Sequence, residues 1–217
     1  MKVVIFGLGE LADLALYYFE KDSPYEVVGF TVDEAHVKEG LFKGLPVVSF
    51  GDVTREFPPQ THEIFVAVGY AGLNKVREEK CKVANSKGYR CASYISTYAH
   101  ISSDEIGSNC FIFESVVLQP FTKIGDGLIA WPGTIISHHS TIADYCYLSP
   151  NVTISGSCQI GERVFAGSGA IIRDGVSVAS DSILGMGTVV TSDLTQSAIY
   201  TGIPAMQVGK VTSNTRI

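Results

Sequence analysis

The chain has 217 residues, 46% hydrophobic and 18% charged, with a mean hydropathy of +0.22 and a formal net charge of −6. These values describe a folding globular protein of one large or two small domains, and the negative balance argues against a broad nucleic-acid-binding face. No stretch of roughly 18 apolar residues is present, so no membrane insertion is expected. The opening MKVVIFGLGE breaks its apolar run at glycine with no small-residue cleavage site after it, so no signal peptide is expected either. The five cysteines, Cys81, Cys91, Cys110, Cys146 and Cys158, are odd in number and lack CxxC spacing. They are predicted to be reduced thiols of a cytoplasmic protein, with no metal site.

Residues 1–95 alternate short apolar strands with helical patterns. Lys2–Phe6 reads as a buried strand, Gly7–Gly9 as a tight turn, and Leu11, Leu14, Ala15, Tyr18 and Phe19 recur at helical spacing. Val27–Val32 is a second strand, ending at Asp33, and Ile64–Val68 a third, closed by Gly69. Leu73, Val76, Val83 and Ala84 mark one face of a further helix that Gly88 suits as a C-terminal cap. This alternation predicts a small parallel sheet with helices on its faces, too short for a full two-halved dinucleotide-binding domain.

The second half obeys a six-residue rule. Every sixth residue from Ile106 to Val190 makes fifteen positions, thirteen of them Ile, Leu or Val and the other two Ala130 and Ala166. The fourth residue beyond each is nearly always small or β-branched, and Cys110, Cys146 and Cys158 fall in that slot. A parallel β-helix requires this pattern, because each hexad forms one side of a triangular coil and three hexads close an 18-residue turn. The aliphatic residue stacks inside and the small one sits near a crowded corner.

The hexad ladder resembles the hexapeptide-repeat acyltransferases. The whole chain, with a GlyxGly domain joined directly to the ladder and Gly202-Ile203-Pro204-Ala205 after it, is similar to bacterial nucleotide-sugar acetyltransferases such as the bacillosamine and perosamine N-acetyltransferases and the sialic acid O-acetyltransferase-like proteins. The resemblance implies a small Rossmann-like nucleotide-sugar-binding domain over residues 1–95. It also implies a left-handed parallel β-helix carrying the acetyl-CoA and catalytic site, with a C-terminal tail, over 96–217. Acetyl-CoA would be the donor, no metal is needed, and active sites would lie between the subunits of a homotrimer.

Acetyl transfer needs a base for the attacking group, a donor for the tetrahedral oxyanion and alignment of both substrates. His138 is the candidate base: it lies between an inward Ile136 and a small Ser140, pointing out of the coil, and the similar family places its catalytic histidine in this segment. Imidazole titrates near neutrality. Eighteen residues on, Gly156 should stack above it, offering an amide to the oxyanion. Many relatives have an acid after the histidine; this chain has His139, expected as a neutral orienting group. Tyr147 replaces another histidine expected near the acetyl group. Gly167, Ser168, Gly185 and Met186 lie in glycine-rich stretches suited to pantetheine, and Arg163, Arg173 and Lys210 are candidate partners of CoA phosphates.

Gly7-Leu8-Gly9-Glu10-Leu11-Ala12 resembles a dinucleotide fingerprint, weak alone, but flanked by a predicted strand and helix. In the similar family this domain holds the nucleotide of the acceptor, so Gly7, Gly9, Glu10, Asp33, Gly69, Tyr70 and Asn74 would line that pocket, with Arg77 turned to solvent. The expected activity is N-acetylation of an amino-dideoxy sugar, at C4, carried by UDP first and by dTDP or GDP as alternatives. Sugar O-acetylation is the nearest rival; a NAD-binding oxidoreductase and a non-catalytic trimeric module stand further off.

Overall fold

The computed structural model describes residues 1–212 and 215. The N-terminal layer is a five-stranded sheet ordered β3-β4-β2-β1-β5. Its strands are β1 (Lys2–Phe6), β2 (Glu26–Val32), β3 (Leu41–Phe42), β4 (Leu45–Ser49) and β5 (His62–Val66). All pairings are parallel except the β3–β4 hairpin. Helix α1 (Glu10–Lys21) buries Ala12, Ala15 and Phe19 against one face. The short α2 (Val53–Glu56) and α3 (Lys75–Ser86) cover the other, where Val53, Cys81 and Ala84 meet Val4, Phe6 and Ile64. Sequence patterning missed β3, β4 and α2, whose apolar residues are too few to show a period.

From Tyr94 the chain winds into seventeen two-residue strands in three parallel sheets. From Glu105 to Ile171 each strand pairs with the one eighteen residues on, as Ile129 with Tyr147, Ile135 with Thr153 and Thr141 with Gln159; the first two strands pair seventeen residues on, Tyr94 with Phe111 and His100 with Val117. The inward Ile, Leu and Val side chains from Ile112 to Val190 form one continuous core with Cys110, Cys146 and Cys158. Burying each large aliphatic side chain contributes about 1.5–3 kcal/mol. Burial also pushes the Cys110 and Cys146 thiols up to about 12, as expected of inert core residues. The coil begins two strands before the sequence period does, because Ile101 and Ile106 stand five residues apart rather than six.

Corners are made by a left-handed residue at every sixth position, including Asn109, Ser115, Phe121, Gly127, Gly133, His139, Tyr145 and Asn151. Between corners the three faces differ. The residues preceding the inward ones read Phe111, Ile129, Tyr147, Phe165 and Ile183 on the first face, which the N-terminal layer covers. On the second they are Val117, Ile135, Thr153, Ile171 and Val189, bare in a single chain, with Ile171 43% exposed. On the third they are Glu105, Lys123, Thr141, Gln159 and Ser177. Ala198–Thr201 and Met206–Lys210 close the coil as an antiparallel hairpin around Gly202–Ala205.

Arg77 joins the two parts. It is fully buried and donates to the carbonyls of Val68 (3.1 Å), Gly69 (2.5 Å), Gly127 (3.1 Å), Tyr145 (3.0 Å) and Cys146 (3.3 Å). This corrects the expectation that it faces solvent: five carbonyl dipoles take the place of water around the guanidinium. Burial still lowers its pKa to about 10.

Candidate active site

His138 and His139 occupy the corner between the second and third faces, and both are exposed. His139 takes the left-handed corner position at φ 58°, so its ring turns back toward its neighbour. The Nδ1 atoms of the two imidazoles are 3.1 Å apart, a hydrogen bond with one proton between them. The His138 amide donates to Gln119 Oε1 at 3.0 Å, and the His139 ring lies 4.8 Å from that of Phe121. Gln119 and Phe121 belong to the preceding turn; counting back eighteen residues from His139 would have found Phe121, while Gln119 stands nineteen before His138.

Gly156 lies on the next turn against the His138 ring. A Cβ added there would stand 2.5 Å from Cε1, 2.9 Å from Nε2 and 3.0 Å from Nδ1 of His138. The imidazole therefore occupies the space a side chain would need. The expected role of the Gly156 amide as oxyanion donor does not hold in this structure: that N–H donates to Asp174 Oδ1 at 2.6 Å, toward the following turn and away from His138. The same rung joins Ser108 to Asp126 and Asp126 to Asp144, so the bond belongs to the architecture of the coil.

The other expected acetyl-CoA residues lie elsewhere. Gly167, Ser168, Gly185 and Met186 form two stacked turns at the corner between the first and second faces. There a Cβ on Gly167 would sit 2.7 Å from the Met186 amide nitrogen; Ser168 is exposed and Met186 is 81% exposed. Tyr147 is on the covered face, its ring stacked on Phe165 at 5.4 Å and met edge-on by Tyr70 at 5.2 Å. Burial pushes its hydroxyl up to about 12. Arg163, offered as a phosphate partner, is instead committed to Asp181 at 2.9 Å, Glu162 at 2.7 Å and Glu78 at 3.1 Å; Arg173 and Lys210 are exposed.

The expected nucleotide residues gather at the carboxyl ends of β1, β2 and β5. Gly7 has φ 125° and a Cβ there would stand 2.9 Å from the Ala67 carbonyl, so the turn needs glycine. Gly9 precedes the first turn of α1, which starts at Glu10. Asp33 follows β2 and is held by Lys80 at 2.8 Å, a partner no local pattern reveals. Gly69 and Tyr70 begin the loop after β5, and Asn74, buried and left-handed at φ 65°, ends it while donating to the Arg163 carbonyl. In one chain, then, the expected residues form three separate groups: one at the His138 corner, one at the Gly167–Met186 corner, and one in the N-terminal layer on the face opposite His138.

No family model matches the chain. Its structure is similar to perosamine N-acetyltransferase from Caulobacter crescentus, in the form of a histidine-to-asparagine variant in complex with CoA and GDP-perosamine. The identity is 26% over 97% of this chain and 98% of that one, with a TM-score of 0.85. It is also similar to the acetyltransferase domain of PglB from Neisseria gonorrhoeae in complex with acetyl coenzyme A, at 25% identity over 95% and 98% of the two chains, TM-score 0.82. WeeI from Acinetobacter baumannii shares the fold, at 22% identity, 96% and 100% coverage and a TM-score of 0.81. Coil and likeness together give the chain the fold of the hexapeptide-repeat acyltransferases. The first two of these neighbours are acetyltransferases whose structures hold CoA or acetyl-CoA. Among the described residues no group of three or more His, Cys, Asp or Glu side chains is placed to hold a metal, and no helix is long and apolar enough to cross a membrane.

Proposed function

We propose that this protein is a cytoplasmic enzyme that transfers acetyl from acetyl-CoA to the amino group, at C4, of a nucleotide-linked amino-dideoxy sugar destined for surface glycans, with His138 as general base. The observation that carries the reading is an exposed imidazole anchored through Nδ1 and its own amide, over a glycine that leaves it room. When His138 donates its Nδ1 proton to His139, its lone pair stands on Nε2. That nitrogen takes the proton as the amine attacks the thioester carbonyl, and returns it to the departing CoA thiolate when the C–S bond breaks. His139 then does the orienting work of an acid, holding the tautomer without adding a negative charge.

Residues 1–95 are read as the Rossmann-like layer that holds the acceptor nucleotide, and residues 96–217 as the left-handed β-helix. The perosamine enzyme's complex with GDP-perosamine supports a nucleoside-diphosphate sugar; UDP, dTDP and GDP remain the candidates. Three copies closing around their bare faces would complete the site. Phe121 at one edge, 71% exposed, Ile171 on the face and Met186 at the other edge offer apolar surface for that closure. The His138 edge of one copy would then meet the Gly167–Met186 edge of the next, together with that copy's N-terminal layer. A thiol-release assay with acetyl-CoA against a panel of amino sugar nucleotides tests the activity, and mass analysis of the product separates amide from ester. Release with none of the amino sugars, or an ester product, would overturn N-acetylation.

A further inference from the structure

The positive charge that a proton brings to His138 is met at this corner by aromatic rings rather than by an acid. The polar contacts of the histidine pair are each other, at 3.1 Å between the Nδ1 atoms, and Gln119, which accepts the His138 amide at 3.0 Å. The carboxylate of this corner, Asp174, stands two turns on from His138 and is bound to the Gly156 amide. The His139 ring lies against Phe121, 4.8 Å away between centroids and inclined by 38°. A cation within about 6 Å of an aromatic centroid is attracted by the ring. The backbone argues that the Phe121 ring has a purpose. Phe121 takes the left-handed corner position at φ 65°, where bulky side chains are rare. Later turns of the same corner fill that position with Ser157 at φ 58° and Gly175 at φ 71°. The corner itself therefore needs no aromatic, and at 71% exposed Phe121 is not placed by core packing either.

A carboxylate is a far weaker base than imidazole, so beside an acid the charge stays on the histidine that took the proton. A second imidazole is the same kind of base, and a proton between two of them crosses at little cost. Building on the reading of His138 as the base, we infer that His139 and Phe121 are positioning residues that draw the positive charge away from the reacting amine. As His138 Nε2 takes the amine proton, its Nδ1 proton passes to His139 Nδ1, and the imidazolium so formed lies against the Phe121 ring. His139 starts with its own proton on Nε2, so it ends as the cation. His138 stays neutral beside a nitrogen that gains positive charge as it attacks. When the C–S bond breaks, His138 Nε2 gives its proton to the CoA thiolate and the Nδ1 proton returns from His139. The pair ends as it began, with one proton moved from amine to thiol.

Single-turnover rates in mixtures of H2O and D2O test the relay, with acetyl-CoA and the amino sugar nucleotide that gives thiol release. The wild-type rate should fall along a curve as the deuterium fraction rises, the mark of two protons in flight. His139→Asn keeps an amide oxygen to orient His138 but cannot take its proton. Its dependence should be a straight line, with the rate lowered about tenfold or more, the worth of a charge-assisted hydrogen bond, and the KM for acetyl-CoA unchanged. Phe121→Leu keeps bulk and loses the ring; its rate should fall about two- to thirtyfold, the span of a cation–π contact, and Phe121→Tyr should restore it. A straight line in the wild type, a curve retained in His139→Asn, or wild-type rates in Phe121→Leu would overturn the relay and leave His138 standing as base. Full activity in His138→Ala would overturn the base and the relay together.

Discussion

The two parts of this molecule solve the same problem by opposite means. In the coil each residue's environment repeats every eighteen positions, so one aliphatic ladder supplies the core and one corner geometry is reused throughout. In the N-terminal layer no environment repeats: β2 contacts both β1 and β4, and α1 and α3 cover different faces. The lesson is where chemistry resides. A repeat leaves freedom only at its corners and on its outward positions, and His138, His139, Gly156, Gly167 and Met186 are all corner residues. The layer has no such rule, and it gathers Gly7, Asp33 and Gly69 by bringing three strand ends to one edge.

The comparison breaks first at the corner. His138→Ala should lower kcat/KM about 10²–10⁴-fold, the usual worth of a positioned base, with unchanged thermal unfolding. Full retention of activity would make the coil a mere assembly scaffold. Gly156→Ala places a methyl group 2.5 Å from His138 Cε1. It should cost about tenfold or more in kcat through displacement of the ring, consistent with the sensitivity of catalysis to small misplacements, while acetyl-CoA binding persists.

The junction between the two parts is sharpened by Arg77→Met, which leaves up to five carbonyls without their donor. Destabilisation of about 3 kcal/mol or more is expected in denaturant unfolding, and a loss under 1 kcal/mol would show that the layer docks without it. The bare coil face is tested by Ile171→Glu: light scattering should show the proposed wild-type trimer replaced by monomers at micromolar concentration, whereas a wild-type monomer would refute the closed ring.

The smallest effect concerns acid. Hydrogen bonding and charge from Arg163 hold the Asp181 carboxyl below its ordinary range. Its depressed folded pKa means that its contribution is complete above the unfolded value, near 4, and fades as pH falls through the folded value. Asp181→Asn should remove that part of the acid-induced drop in Tm, an effect of about 1 kcal/mol or less for a partly exposed pair.

Much of this was legible before any coordinates. The hexad period specified the parallel coil, the inward ladder and the burial of three thiols, because a β-helix writes its geometry into sequence at fixed spacing. The same arithmetic placed Gly156 against His138, and strand-turn-helix grammar located β1, α1 and β2. Other features depend on contacts between residues that no spacing relates. Asp174 holds the Gly156 amide, Arg163 is spent on carboxylates, Arg77 is buried among carbonyls, and Lys80 crosses the sheet edge to Asp33. Tertiary structure alone decided these, because a side chain's partners are set by where separate elements dock, and docking follows from packing of whole faces rather than from any local run of residues.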